Sequence, residues 1–137
     1  MNMRITVILI VLTLIFTVII FYFFAQDSKV TELAVTQDPL NNVKTEKIFT
    51  DNSREIFLLI KLSKVKKGEE LKISWYKDTA DNNLLLIQDN RVITDNQGSG
   101  FLQISLVNKN GSYESGSYQV KVTLEGKPEK TLDFKIN

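Results

Sequence analysis

Neither cysteine nor histidine occurs anywhere in this chain. Without thiols there are no disulfides, no thiolate nucleophile and no zinc–thiolate site, and lipoprotein processing, which acts on a cysteine, is excluded. Without imidazole the chain lacks the commonest general base and metal ligand near neutral pH. Charge excess is missing too. Arg4 is one of 17 basic residues set against 16 acidic ones, so everything beyond it is formally balanced. Phosphate recognition needs a basic field, and balanced charge at the level of a domain argues against nucleic-acid binding. A fold without disulfides depends on its apolar core, which about 110 residues are enough to build.

What is present begins with an uncharged, mostly apolar run from Ile5 to Ala25. As a helix it reaches roughly 32 Å, enough to cross a hydrocarbon core. The run exceeds the apolar segment of a signal peptide, and Phe23 stands where cleavage after Ala25 wants a small residue. Phe21-Tyr22-Phe23-Phe24 suits an interfacial aromatic belt. A retained anchor is therefore expected. Residues 1–4 form a cytoplasmic stub, residues 5–25 a single transmembrane pass, and residues 26–137 an extracytoplasmic part, the orientation resting on Arg4 before the run and Asp27 after it. Thr6, Thr13 and Thr17 are expected to bond their own helix backbone. No Gly-xxx-Gly pattern marks a helix dimer.

Beyond residue 26 no stretch carries a helical period. Residues 26–47 read as a linker with a first strand at Val30–Thr36, and Asp38-Pro39 and Asn41-Asn42 as turns. Residues 48–137 read as the body onto which that strand packs. Ile56, Leu58, Ile60 and Leu62 alternate on one face. Phe57 and Leu59 fall on the other and are expected to be covered by the segment between residues 30 and 50. Leu71, Ile73 and Trp75 point inward, and Lys72, Ser74 and Tyr76 outward. Leu84–Ile87 and Arg91–Thr94 flank Gln88-Asp89-Asn90 as an expected hairpin. Phe101–Val107, Tyr118–Leu124 and a last strand with Leu132, Phe134 and Ile136 inward complete the pattern, with a turn at Gly126–Glu129. About seven to nine short alternating strands predict an all-β, antiparallel sandwich behind one N-terminal transmembrane helix.

Two features sharpen this reading. Trp75 follows Ile60 on the next strand, and Glu114-Ser-Gly-Ser-Tyr-Gln-Val120 opens a later one. Val65-Lys-Lys-Gly68 and the closing Phe134-x-Ile136 add to the pattern. Together they resemble the cysteine-free immunoglobulin-like and fibronectin-type modules of bacterial envelope proteins. The resemblance implies a core Trp75, a tyrosine-corner residue at Tyr118 after Gly116, and Ile60 and Val120 at the places of the two bridged cysteines of antibody domains. It implies architecture and no activity.

Candidate ligand contacts are Tyr76 and Tyr113, as aromatics for sugar stacking, and Asp78 and Asp81, as oxygen donors in the Asp78–Asn83 loop. The loop lacks the calcium-binding EF-hand spacing, and Asp and Asn are ordinary turn residues. Lys61, Lys64, Lys66 and Lys67 form a basic cluster that could touch anionic lipid headgroups or acidic wall polymers, but Glu69 and Glu70 follow at once and partly cancel its field, so it reads as a solvated loop. Asn110-Gly-Ser112 matches a glycosylation sequon and equally a turn. No residues present a catalytic, metal or cofactor arrangement. The expected function is a non-catalytic protein-binding or assembly module at the cell envelope, held in lipid through residues 5–25. The alternative is a ligand- or carbohydrate-sensing module.

Overall fold

The computed structural model describes residues 3–24, 27–40, 46–51, 53, 55–94, 98–107 and 113–137, with backbone alone for Arg4, Phe23 and Phe24. The expectations at Ala25-Gln26, Asn41-Asn42 and Asn110-Gly-Ser112 lie outside the described residues. One helix, α1 (Met3–Phe24), precedes eight strands: β1 (Lys29–Thr36), β2 (Ile48–Phe49), β3 (Glu55–Val65), β4 (Glu70–Asp78), β5 (Asn83–Val92), β6 (Gly98–Val107), β7 (Gly116–Leu124) and β8 (Lys130–Ile136).

In α1 the window Ile5–Tyr22 has mean hydropathy 3.0 and none of it is buried. It is long and apolar enough to cross a membrane, and it packs against no strand. The Thr13 and Thr17 hydroxyls donate to the carbonyls of Leu9 and Thr13, at 2.8 and 2.7 Å. These side chains are satisfied within their own helix, as apolar surroundings require.

The strands form two sheets, one ordered β1-β3-β6 and the other β2-β8-β7-β4-β5. All pairings are antiparallel except β2 with β8, which is parallel. A single core lies between the sheets. Ile56, Leu58 and Ile60 enter it from β3, Leu71, Ile73 and Trp75 from β4, and Val120, Val122 and Leu124 from β7. Phe134 is its aromatic hub. It stacks on Tyr118 at 5.4 Å and meets Phe49 and Trp75 edge-on at 5.6 and 6.0 Å. Offset-stacked and edge-on pairs are the favoured aromatic arrangements, so β2, β4, β7 and β8 are locked together at one point.

The tight turn from β7 to β8 closes with Lys127 N–H donating to the Leu124 carbonyl at 2.8 Å, and Gly126 supplies the positive φ of 69° it needs. Lys64, at φ 56°, sits where the β3–β6 register shifts between Ser63 and Val65.

Two expectations need correction, and a third holds in part. No hairpin forms at Gln88-Asp89-Asn90; β5 runs through them in one ladder with β4, with Asp89 opposite Ile73 and Asn90 opposite Lys72. Turn-favouring residues cost little on a strand whose side chains are solvated, because strand preference follows the environment. Ser74 is buried rather than outward. It lies between Lys121 and Gln88 in the two ladders, and these longer neighbours shade it. The third is burial on the outer side of β3: Leu59 is buried and Phe57 half-buried, and β1, from the expected segment, lies beside them in the sheet, with Leu59 opposite Ala34 and Phe57 opposite Thr36.

Candidate functional site

Trp75, Gly116 and Tyr118 occupy structural positions. Trp75 and Tyr118 are both buried in the core. The Tyr118 hydroxyl donates to the Glu114 carbonyl at 2.6 Å, returning to the backbone just before its own strand. Gly116 makes that return possible. Its φ is 148°, and an added Cβ would stand 3.4 Å from Cε of Lys77. Lys77, opposite Tyr118 in the β4–β7 ladder, passes Gly116 to pair with the Glu114 carboxylate. That charged hydrogen bond raises the Lys77 ammonium above the ordinary lysine value and holds the Glu114 carboxyl below the usual carboxylate range. Burial pushes the Tyr118 phenol up, which Lys77 partly offsets. The constellation ties β4 to the loop before β7.

Of the four candidate ligand contacts, Asp78 and Asp81 share one turn, while Tyr76 and Tyr113 lie in other surroundings. Tyr76 is half-buried on the outer face of β4, with the Lys121 ammonium over its ring at 5.2 Å. Tyr113 packs against the core, its hydroxyl donating to the Leu106 carbonyl and its N–H to the Asp51 carbonyl at 3.0 Å. Asp78 and Asp81 are exposed around a turn closed by Thr79 N–H donating to the Asn82 carbonyl at 3.1 Å. Among the described residues no group of three or more acidic side chains is placed to hold a metal.

The feature that stands out lies elsewhere. β5 is the terminal strand of the five-stranded sheet and packs against β4 alone. The facing sheet has three strands, and among the described residues none of them packs against β5. Leu84, Leu85, Leu86 and Ile87 are consequently 54%, 47%, 40% and 45% exposed, on both faces of the strand. Edge strands are usually guarded by lysine, proline, brevity or a bulge. β5 spans 10 residues with neither lysine nor proline, and Arg91 pairs with Asp89 at 2.8 Å at its far end. Its only guard is the register shift opposite Trp75/Tyr76, which leaves Leu86 as the extra residue. Beside it a cavity of about 390 Å³ is lined by Val65, Val92, Ile93, Phe101 and Leu102, among others. Phe101 on β6, the neighbouring edge of the other sheet, is 61% exposed. Reading Leu84–Ile87 as one arm of a hairpin hid this edge. Four apolar residues in a row without alternation were the available signal.

No protein-family model matches the chain, and no curated protein sequence matches it. Among solved structures it is similar to the alkylpurine DNA glycosylase AlkC of Pseudomonas fluorescens bound to DNA containing an abasic site analogue. There the TM-score is 0.50 at 10% identity, over 83% of this chain and 31% of that one. It is also similar to a β-glucosidase from Listeria innocua (TM-score 0.47, 11% identity, 80% of this chain and 16% of that one). A third is a Niemann-Pick type C2 protein from the Japanese carpenter ant (TM-score 0.49, 12% identity, 82% and 94%). The chain thus spans less than a third of the first two proteins, and the glycosylase likeness concerns the fold alone.

Proposed function

We propose that this chain is a membrane-anchored, extracytoplasmic immunoglobulin-like module that binds a protein partner at the cell envelope and does so without catalysis. The observation that carries the binding role is β5, an edge strand guarded by little more than one bulge, with four consecutive apolar residues exposed. Such an edge takes up an extended segment from another polypeptide: main-chain hydrogen bonds supply affinity and alternate side chains supply specificity. The anchor reading draws on α1, and the orientation on Arg4 and Asp27 at its two flanks.

Support for the immunoglobulin-like type comes from the strand order, from buried Trp75, and from the Tyr118 hydroxyl returning to Glu114. Ile60 and Val120, the residues that the resemblance puts in place of a bridged pair, are fully buried on opposite sheets, which is consistent with that reading. A non-catalytic role fits the use made of Lys77, Glu114 and Tyr118, whose shifts reinforce their ordinary charge states and which together hold β4 to the loop before β7. The ligand-sensing alternative is the weaker reading, because Tyr76, Tyr113 and the turn of Asp78 and Asp81 face different surroundings.

Because the chain has no cysteine, a photo-reactive group can be placed at single introduced cysteines. In membranes holding the full chain, Leu86→Cys is expected to give a covalent adduct with another polypeptide, and Lys135→Cys on β8 is not. Adding Leu84→Lys and Leu85→Lys should abolish the β5 adduct. Equal labelling at both positions, or none at β5, overturns the reading.

A further inference from the structure

One end of the sandwich is bound to the exit of α1. β1 starts there at Lys29, opposite Ser63 of β3. The β3–β4 turn is tied to the chain's entry by the Ser28 hydroxyl, which donates to the Glu69 carboxylate. The β7–β8 turn is tied to it by Lys127, 3.5 Å from Asp27. The end of β5 closes on the same place, Gly68 N–H donating to the Ile93 carbonyl at 2.8 Å. Only residues 25–28 separate Phe24 from Lys29. Four extended residues span at most about 14 Å, so this end must face whatever surface α1 enters.

Its charges are arranged unevenly. Lys29, Lys64, Lys66, Lys67 and Lys130 are exposed there. Several of the carboxylates nearby are already engaged. Asp27 pairs with Lys127, and Glu129 with Lys121 at 3.7 Å. Glu69 accepts from Ser28 and from the Lys66 N–H at 2.7 Å. Glu70 and Glu125 also lie at this end and moderate its field. Among the described residues, Lys29, Lys64 and Lys66 have no carboxylate partner. The opposite end carries Asp51, Asp78, Asp81 and Glu114, with Lys77 committed to Glu114.

We propose that the lysine-bearing end, with Lys29, Lys64 and Lys66 as its free ammonium groups, rests on the anionic phospholipid headgroups of the bilayer that holds α1. A lysine near an anionic leaflet gains about fivefold in binding, provided it stays within a Debye length of about 8 Å. The short tether keeps the groups close to the surface, so little further entropy is lost when contact brings them within that range. Docking would fix the domain upright and hold β5 in one orientation. The proposal rests on the anchored reading above.

The test uses the full chain in nanodiscs, with a fluorophore at Glu125→Cys near the anchor or Asp81→Cys far from it, and quencher-bearing headgroups. Replacing phosphatidylcholine partly with phosphatidylglycerol should raise quenching at the near label, leave the far label unquenched, and lose its effect in high salt. Lys29→Gln, Lys64→Gln and Lys66→Gln together should lower the docked-to-undocked ratio roughly a hundredfold, with an unchanged circular-dichroism melt. Equal quenching in both lipids, or no effect of the three substitutions, overturns the proposal. Soluble polyphosphate bound by these lysines while anionic lipid leaves the label unmoved would assign them to another partner and likewise overturn it. Failure of the chain to enter nanodiscs defeats the anchor and the docking together.

Discussion

At the scale of single residues, Glu114 does two jobs with two different atoms. Its backbone carbonyl receives the Tyr118 hydroxyl, and its carboxylate receives Lys77. Replacing the side chain by Gln removes the second and spares the first. The sign of the pH dependence follows from the shifts. A depressed carboxyl stabilises the fold fully above its ordinary value and loses that contribution as pH falls toward the lowered one. The raised Lys77 contributes fully below the ordinary lysine value and loses it as pH climbs toward the raised one. The melting temperatures of wild type and Glu114→Gln should therefore differ by a small constant gap around neutrality. That gap should close on the acid side through the carboxylate range and on the alkaline side through the lysine range. Glu114 is largely exposed, so added salt should narrow the gap as well. A gap that stays open in acid would show that the pair contributes nothing.

At the scale of elements, β5 and β7 flank β4 in the same sheet and have opposite roles. β7 buries Tyr118, Val120, Val122 and Leu124. β5 buries none of its side chains fully and contacts one neighbour. Leu124→Ala should cost about 2–5 kcal/mol in chemical denaturation, the range for a buried leucine that leaves a cavity. Leu85→Ala should stay within about 0.5 kcal/mol, as surface changes do. A large loss from Leu85→Ala would mean that β5 is part of the core. The contrast also marks what could be read from the chain. β7 announces itself, since alternation of Tyr118, Val120, Val122 and Leu124 requires one dry face. The fate of Leu84–Ile87 depends on how many strands the opposite sheet has, which is set far away in sequence. Asp89 and Asn90 carry turn preference that an exposed edge overrides, and β2 is too short to leave a period. Tyr76 and Tyr113 look alike in sequence, yet one lies under a lysine and the other closes the core. The lysine end was legible in part: Lys64, Lys66 and Lys67 cluster in sequence and read there as a solvated loop, whereas Lys29 joins their end only through strand pairing, opposite Ser63.

At the scale of the whole molecule, the apolar helix and the β body share no packing. Among the described residues the core draws on none from α1, and the window Ile5–Tyr22 is not buried against the strands. The body's stability must then come from its own two sheets, centred on Phe134 and its three aromatic partners. Deleting residues 1–26 should leave a polypeptide with a β-type circular-dichroism spectrum and one cooperative melt. The same melt is expected for the body in the full-length chain held in nanodiscs of neutral lipid. Separated from α1, however, the fragment carries an edge guarded by one bulge into solution at concentrations where edges find each other. Concentration-dependent self-association by light scattering is expected, and Leu84→Lys with Leu85→Lys should suppress it without shifting the melt. A fragment that loses its cooperative transition would instead make the helix part of the fold. A fragment that stays monomeric at every concentration would show that the bulge at Leu86 is guard enough, and the case for β5 as a docking edge would weaken with it.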